Sequence, residues 1–189
     1  MQRIREIILV IVLIMFVYSC NVENRELDSD IEEVISLSIE KFSFPLLPLP
    51  KKVNDSLIFE PIESIKDSLA NVKLNIAIYP IIDKVKIEGE NEIVRKKLFI
   101  STNTIHKIDE GSKHILIPAD TVLLKKSKDW KEYDLLYRFT KFEFNSKMDS
   151  CKIYLGVSRS ALWGQAYEVY LERKIDNWKI IKTIQKEKW

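Results

Sequence analysis

The sequence predicts an α+β domain, an N-terminal helix packed on a largely antiparallel sheet that ends in a C-terminal β-meander and hairpin. Two observations predict it. Apolar residues recur at helical intervals from Ile31 to Phe42 and then change to a period of two from Val72 onward, most clearly between Leu135 and Lys186. Glycine is scarce, at 4 residues in 189, while aromatic and β-branched residues are plentiful, a balance that suits strands and excludes low-complexity chain.

Residues 1–19 read as a cleaved bacterial lipoprotein signal. Arg3 and Arg5 form a basic n-region, Ile7 to Tyr18 an apolar h-region, and Ser19 is the small residue before the cut. Val17, Ser19 and Cys20 resemble a lipobox, with Cys20 as the residue that takes the lipid. Tyr18 is bulkier than the usual occupant of its position, and Glu6 lowers the n-region charge. The apolar run falls well short of the roughly 20 residues a membrane-spanning helix needs. Lipid on Cys20 also accounts for the cysteines, because it leaves Cys151 as the one mature thiol with no partner for an internal disulfide.

Residues 20–30 are the lipidated cysteine and an acidic tether carrying Glu23, Glu26, Asp28 and Asp30, and residues 31–189 form a single domain. Acidic residues just after such a cysteine also resemble a surface-export signal. Removing Arg3, Arg5 and Glu6 with the signal from a chain of 30 basic and 28 acidic residues leaves the charges nearly balanced, so nothing marks a nucleic-acid partner. The expected partner is the membrane, reached through the lipid on Cys20. The expected location is the cell envelope, at the outer membrane, on its periplasmic or surface face.

Ser29 and Glu32 have capping-box spacing and start a helix whose apolar face is Ile31, Val34, Ile35, Ile39 and Phe42. Pro45 ends it, and Pro48 and Pro50 make Phe44 to Lys52 an extended connector. A short helix is expected from Pro61 to Leu69. Leu74, Ile76 and Ile78 form a half-buried strand closed by Pro80, followed by weaker strands around Val85 and Ile87, Ile93 to Ile100, and Ile115 to Ile117. Ser127 to Asp134 is expected to make one or two helical turns. Leu135 to Phe144 and Cys151 to Val157 pair across the loop Asn145 to Ser150. After the loop Ser158 to Gly164, the strands Gln165 to Ile175 and Trp178 to Lys186 form a hairpin around Asp176 and Asn177. Pairing Ile175 with Trp178 puts Tyr167, Val169, Leu171, Ile175, Trp178, Ile180 and Ile184 on one face.

The segments FTKFEFN (Phe139 to Asn145), KIYLGVSRSALWGQAYEVYLERK (Lys152 to Lys174) and DNWKIIKTIQKEKW (Asp176 to Trp189), together with the signal, resemble the end of a group of uncharacterised bacterial lipoproteins. The shared pattern is an F-N pair before a strand, a glycine-containing loop leading into a strand, and a hairpin arm ending near a tryptophan. It implies strands and turns, and no catalytic role travels with it. Some members carry cysteines where this chain has Ser158 to Gly164, so a redox or metal role loses its ligands here.

No residue constellation points to catalysis. His106 and His114 fit no common local metal-ligand spacing, so no metal or cofactor is expected. Ser158 and Ser160 lack a nucleophile elbow, and Glu168 and Glu172 sit on a strand face with Lys174 and Lys179. Cys151 alternates with Ile153, Leu155 and Val157, as a buried apolar thiol does. The aromatic group Tyr137, Phe139, Phe142, Phe144, Trp163 and Tyr167 reads first as core packing. Tyr137, Phe139, Trp163 and Tyr167 are also candidate residues for holding a small apolar ligand. The function expected is therefore that of a non-enzymatic interaction module with an envelope protein or glycan partner. A small-ligand binder stands second and an enzyme a distant third.

Overall fold

A computed structural model of the chain describes residues 27–45, 51–53, 56–58, 69, 71–89, 92–120, 132–160, 163–175 and 177–188. The predicted signal, Cys20 and most of Pro61 to Leu69 and Ser127 to Asp134 lie outside them. The architecture is α+β, as the periodicity indicates.

Helix α1 covers residues 27–42. It buries Leu27, Ile31, Val34, Ile35, Ile39 and Phe42, a stripe at helical spacing that includes every apolar position read from the sequence. The stripe starts earlier than expected. Residues 27–30 are helical, so Ser29 lies inside the helix, and Asp30 is buried against the sheet, where a solvated tether was expected.

A short antiparallel pair, β1 (Lys51–Val53) and β2 (Ser56–Ile58), stands apart from the main sheet. The main sheet has eight strands. They are β3 (Asn75–Ile78), β4 (Ile81–Ile87), β5 (Ile93–Phe99), β6 (Ile115–Pro118), β7 (Leu135–Phe144), β8 (Ser150–Ser160), β9 (Trp163–Lys174) and β10 (Asn177–Lys188). The last four form an antiparallel meander in the order β10-β9-β8-β7.

On the far edge of β7 the sheet forks. Strand β3 runs parallel to the start of β7 and β4 runs parallel to its end. Pro80 interrupts the strand between them because it has no N–H to give the ladder. Beyond the fork β6 pairs with β3 in parallel and β5 with β4 antiparallel, while Ile100 N–H donates to the Pro80 carbonyl at 2.9 Å. The crossover from β5 to β6 is helix α2 (Thr102–Gly111), which the sequence reading missed. Its cap is plain: Ser101 accepts from Thr104 N–H at 3.0 Å, and Ile105 and Ile108 face the core.

The loop expected over Ser158 to Gly164 is mostly strand, since β8 runs to Ser160 and β9 begins at Trp163. The final hairpin differs in register by two residues. Trp178 pairs with Arg173 and Asn177 with Lys174, which makes Ile175 a turn residue, 93% exposed with φ 62°. A two-residue shift preserves alternation, so Trp178 stays buried as expected. A bulge at Ile181 then inverts the pattern and places Ile184 opposite Glu168, in the outward row.

Asn145, of the F-N pair, builds the β7–β8 turn. Its side-chain carbonyl accepts from Asp149 N–H (3.1 Å) and Ser150 N–H (3.2 Å), and its amide donates to the Asp149 carboxylate (2.6 Å).

Candidate functional site

The meander has an inner face under α1 and an outer face toward solvent, and the two have opposite chemistry. Inside, Tyr137, Phe139, Phe142 and Phe144 form a ladder along β7 with ring centroids 6.2, 5.9 and 6.2 Å apart. Phe139 and Phe142 share a face despite odd spacing because a bulge at Thr140 resets the alternation. Phe144 meets Trp178 edge-on at 5.9 Å, and the opposite strand adds Cys151, Ile153, Leu155 and Val157. Burial pushes the Cys151 thiol well up, out of the range where a thiolate forms.

Helix α1 is fastened over this face by polar contacts. Asp30 pairs with Arg173 and accepts from the Trp178 indole N–H at 3.1 Å, while Glu33 accepts from Trp178 N–H at 2.8 Å. Tyr137 donates to the Ile39 carbonyl (3.4 Å), which leaves the Ser43 hydroxyl to donate to Tyr137 (2.8 Å). Burial raises the Tyr137 pKa, so the phenol stays neutral.

The four candidate ligand-binding aromatics therefore separate. Tyr137 and Phe139 are fully buried with α1 packed over them, and no ligand reaches them without lifting the helix. Trp163 and Tyr167 do reach an open pocket of about 410 Å³, shared with Phe42, Phe44, Leu135 and Arg159, where Tyr167 stacks on Phe42 at 4.5 Å.

The outer face is built of cross-strand rows. One row runs Lys96, Lys84, Lys141, Tyr154, Glu168 from β5 to β9, and the next runs Val94, Lys86, Glu143, Lys152, Tyr170, Lys182 from β5 to β10. Tyr154 receives the ammonium groups of Lys141 (5.3 Å) and Lys152 (5.0 Å), and Tyr170 those of Lys152 (6.0 Å) and Lys182 (5.6 Å). Burial alone would raise the Glu143 pKa, but hydrogen bonds and charge from Lys141 and Lys152 outweigh it and hold the carboxyl below its usual value. Glu168 is likewise held low, chiefly by Lys186 at 2.9 Å.

Above these rows lies a third, in which Gly156 faces Arg138 on one side and Ala166 on the other, with Glu187 beyond. Two adjacent positions with almost no side chain leave an open groove of about 640 Å³. Arg138, Thr140, Tyr154, Ser158, Lys186 and Glu187 surround it. The sequence reading missed this groove. Its signal was a glycine in the interior of a strand, where the missing side chain leaves the sheet face open.

Away from the meander, His114 accepts from Leu74 N–H through Nδ1 at 3.3 Å, and its buried Nε2 has no hydrogen-bond partner among the described residues. Burial, aided by the charge of Lys113, lowers its pKa. Among the described residues no group of three or more His, Cys, Asp or Glu side chains is placed to hold a metal ion, and no helix is long and apolar enough to cross a membrane. Comparison of the chain with protein families, with curated proteins and with solved structures finds no match.

Proposed function

We propose that the chain is an outer-membrane lipoprotein, held in the envelope by lipid on Cys20, whose domain acts by contact with a protein or glycan partner and not by catalysis. The resemblance of the signal and C-terminal segments to the uncharacterised lipoprotein group agrees with this reading. The observation that carries it is the outer face of the meander, where rows of lysine and tyrosine border an open groove while the opposite face is filled with side chains.

Chain geometry supports the orientation. The seven Cα-to-Cα steps from Cys20 to Leu27 span at most about 25 Å even when fully extended, so a lipid on Cys20 keeps the start of α1 within that reach of the bilayer. Asp30 ties that start to Arg173 and Trp178 at the β9–β10 turn. Ala166, in the groove, lies further along β9 by about 23 Å at the usual rise of a strand. The groove thus lies toward the end of β9 opposite the tie to α1, an arrangement that agrees with a domain anchored at one end and open to a partner at the other.

Replacing Cys20 with serine is expected to release the protein from membranes with its domain still folded, and unchanged fractionation would contradict the anchor. Affinity capture from intact envelopes, run with the native chain and with Lys84→Glu/Lys96→Glu, tests the contact face. A partner held by the first and lost by the second is the expected result.

A second reading, a small apolar ligand, rests on the pocket between α1 and the start of β9, lined by Phe42, Phe44, Trp163 and Tyr167. Native mass spectrometry of the purified protein tests it. A stoichiometric small molecule lost on Trp163→Ala would put this reading first.

A further inference from the structure

The groove over Gly156 and Ala166 has three properties that together select a ligand class. First, it lies over central strands. Strand β8 is paired on both edges, with β7 and with β9, so the backbone beneath the groove has no ladder groups to offer and a peptide cannot add there as a strand. A ligand here must bring its own polar groups and meet side chains. Second, over Gly156 the walls are an aromatic ring, two hydroxyls and a guanidinium, Tyr154, Thr140, Ser158 and Arg138, while Lys186 and the carboxylate of Glu187 close the β10 end, so an acidic group on a ligand is directed to the Arg138 side. The pair Arg138 and Asp83, at 3.2 Å, is exposed on both sides and therefore weak, which leaves the planar fork available for a carboxylate or phosphate.

Third, the adjoining row carries uncompensated charge. Lys96, Lys84 and Lys141 stand directly opposite one another on three neighbouring strands, an arrangement that disfavours the folded sheet. Glu143 neutralises Lys141, but Lys84 and Lys96 have no acidic partner among the described residues. Their spacing is one strand separation, about 4.8 Å, comparable with the length of one sugar ring. A strand pair that keeps such a row on an exposed face is suited to an anion that spans it.

We propose that this groove and the lysine row beside it bind a linear anionic polysaccharide, with sugar rings lying over Gly156 and Ala166 against Tyr154 and acidic groups reaching Arg138, Lys84 and Lys96. The proposal rests on the contact reading above and names its ligand.

Gly156 supplies a clean test. Its φ is not positive, and a Cβ built on it comes no nearer than 3.9 Å to the Arg138 carbonyl oxygen, so Gly156→Gln fills the groove without straining the strand. Binding is measured with the full chain in detergent against polygalacturonate, a linear hexose-phosphate polysaccharide, neutral dextran and polyglutamate. One or both of the first two are expected to bind, and which binds tighter identifies the acidic group as carboxylate or phosphate. Dextran and polyglutamate are expected to be weaker by about tenfold or more, a free-energy difference of one good contact. Gly156→Gln and Lys84→Glu/Lys96→Glu are each expected to lower the affinity by about tenfold with the thermal midpoint of Gly156→Gln unchanged. Full affinity in a folded Gly156→Gln variant overturns the proposal, and so does polyglutamate binding as well as either polysaccharide. If no polysaccharide binds but envelopes yield a partner sensitive to Lys84→Glu/Lys96→Glu, the glycan is wrong and the contact reading stands. If neither is seen, both fall.

Discussion

The inner and outer faces of the β7–β10 meander are made by the same four strands, yet one is closed by packing under α1 and the other lies open to solvent. Inside, the aromatic ladder of β7, the aliphatic row of β8 and Trp178 close against α1, with Asp30, Ser43 and Tyr137 hydrogen-bonded among them and one pocket left open at Trp163 and Tyr167. Outside, like charges face one another and two small residues leave a groove. Period-two alternation allows this division of labour, because a strand can optimise one set of side chains for packing without touching the other. Substitutions on the two faces should therefore separate cleanly into losses of stability and losses of binding.

Trp178→Ala should break the inner face most severely. It deletes a large buried side chain, empties the end of the aromatic ladder and leaves the Asp30 carboxylate with one partner fewer. The expected loss is about 3 to 5 kcal/mol by chemical denaturation. A loss of a few tenths would mean that the ring is not enclosed.

The second test is acid. His114 is buried and its pKa lies below the ordinary histidine value of 6.5, so the folded state resists a proton that the unfolded chain accepts. Stability should then fall as pH drops below about 6.5, with a slope no steeper than about 1.4 kcal/mol per pH unit for one group. His114→Asn should flatten that segment of the profile. An identical slope in the variant would assign it to other groups.

At the hairpin tip the expected effect is a gain. Ile175 is β-branched and holds a left-handed backbone conformation that costs such a residue roughly 1 to 2 kcal/mol. Ile175→Gly should raise stability by about 1 kcal/mol, reduced by the extra freedom glycine has when unfolded. A loss would show that the side chain, though exposed, contributes contacts of its own.

The smallest change belongs to the outer face. Lys84→Gln removes the middle of three opposed lysines and should leave stability unchanged or raise it by a few tenths of a kcal/mol. A clear destabilisation would show the row to be structural and would blur the contrast between the faces.

Legibility in the sequence follows the same division. The inner face was readable because burial imposes strict periods: the apolar positions of α1, the alternation in β8 and the inward Trp178 were all visible in the residues. Single-residue bulges were not readable. The one at Ile181 moved Ile184 outward, and the turn position was not foreseen because a β-branched residue such as Ile175 disfavours the left-handed conformation it adopts. Helix α2 was missed because its buried face consists of little more than Ile105 and Ile108, although Ser101 and Thr104 mark its start. The fork at Pro80 depends on parallel pairings between strands distant in sequence, which no local pattern encodes. The groove is invisible until the register sets Gly156 beside Ala166. The lysine row, likewise, appears only when β5, β4 and β7 are aligned.

The central claim is that the outer face meets a partner in the envelope. Photo-crosslinking in intact cells tests it most directly, with a photoreactive residue placed in turn at Ser158 beside the groove and at Lys41 on the exposed side of α1. Adducts from position 158 and none from position 41 are the expected result. Adducts from position 41 alone, or equally from both, would contradict the account.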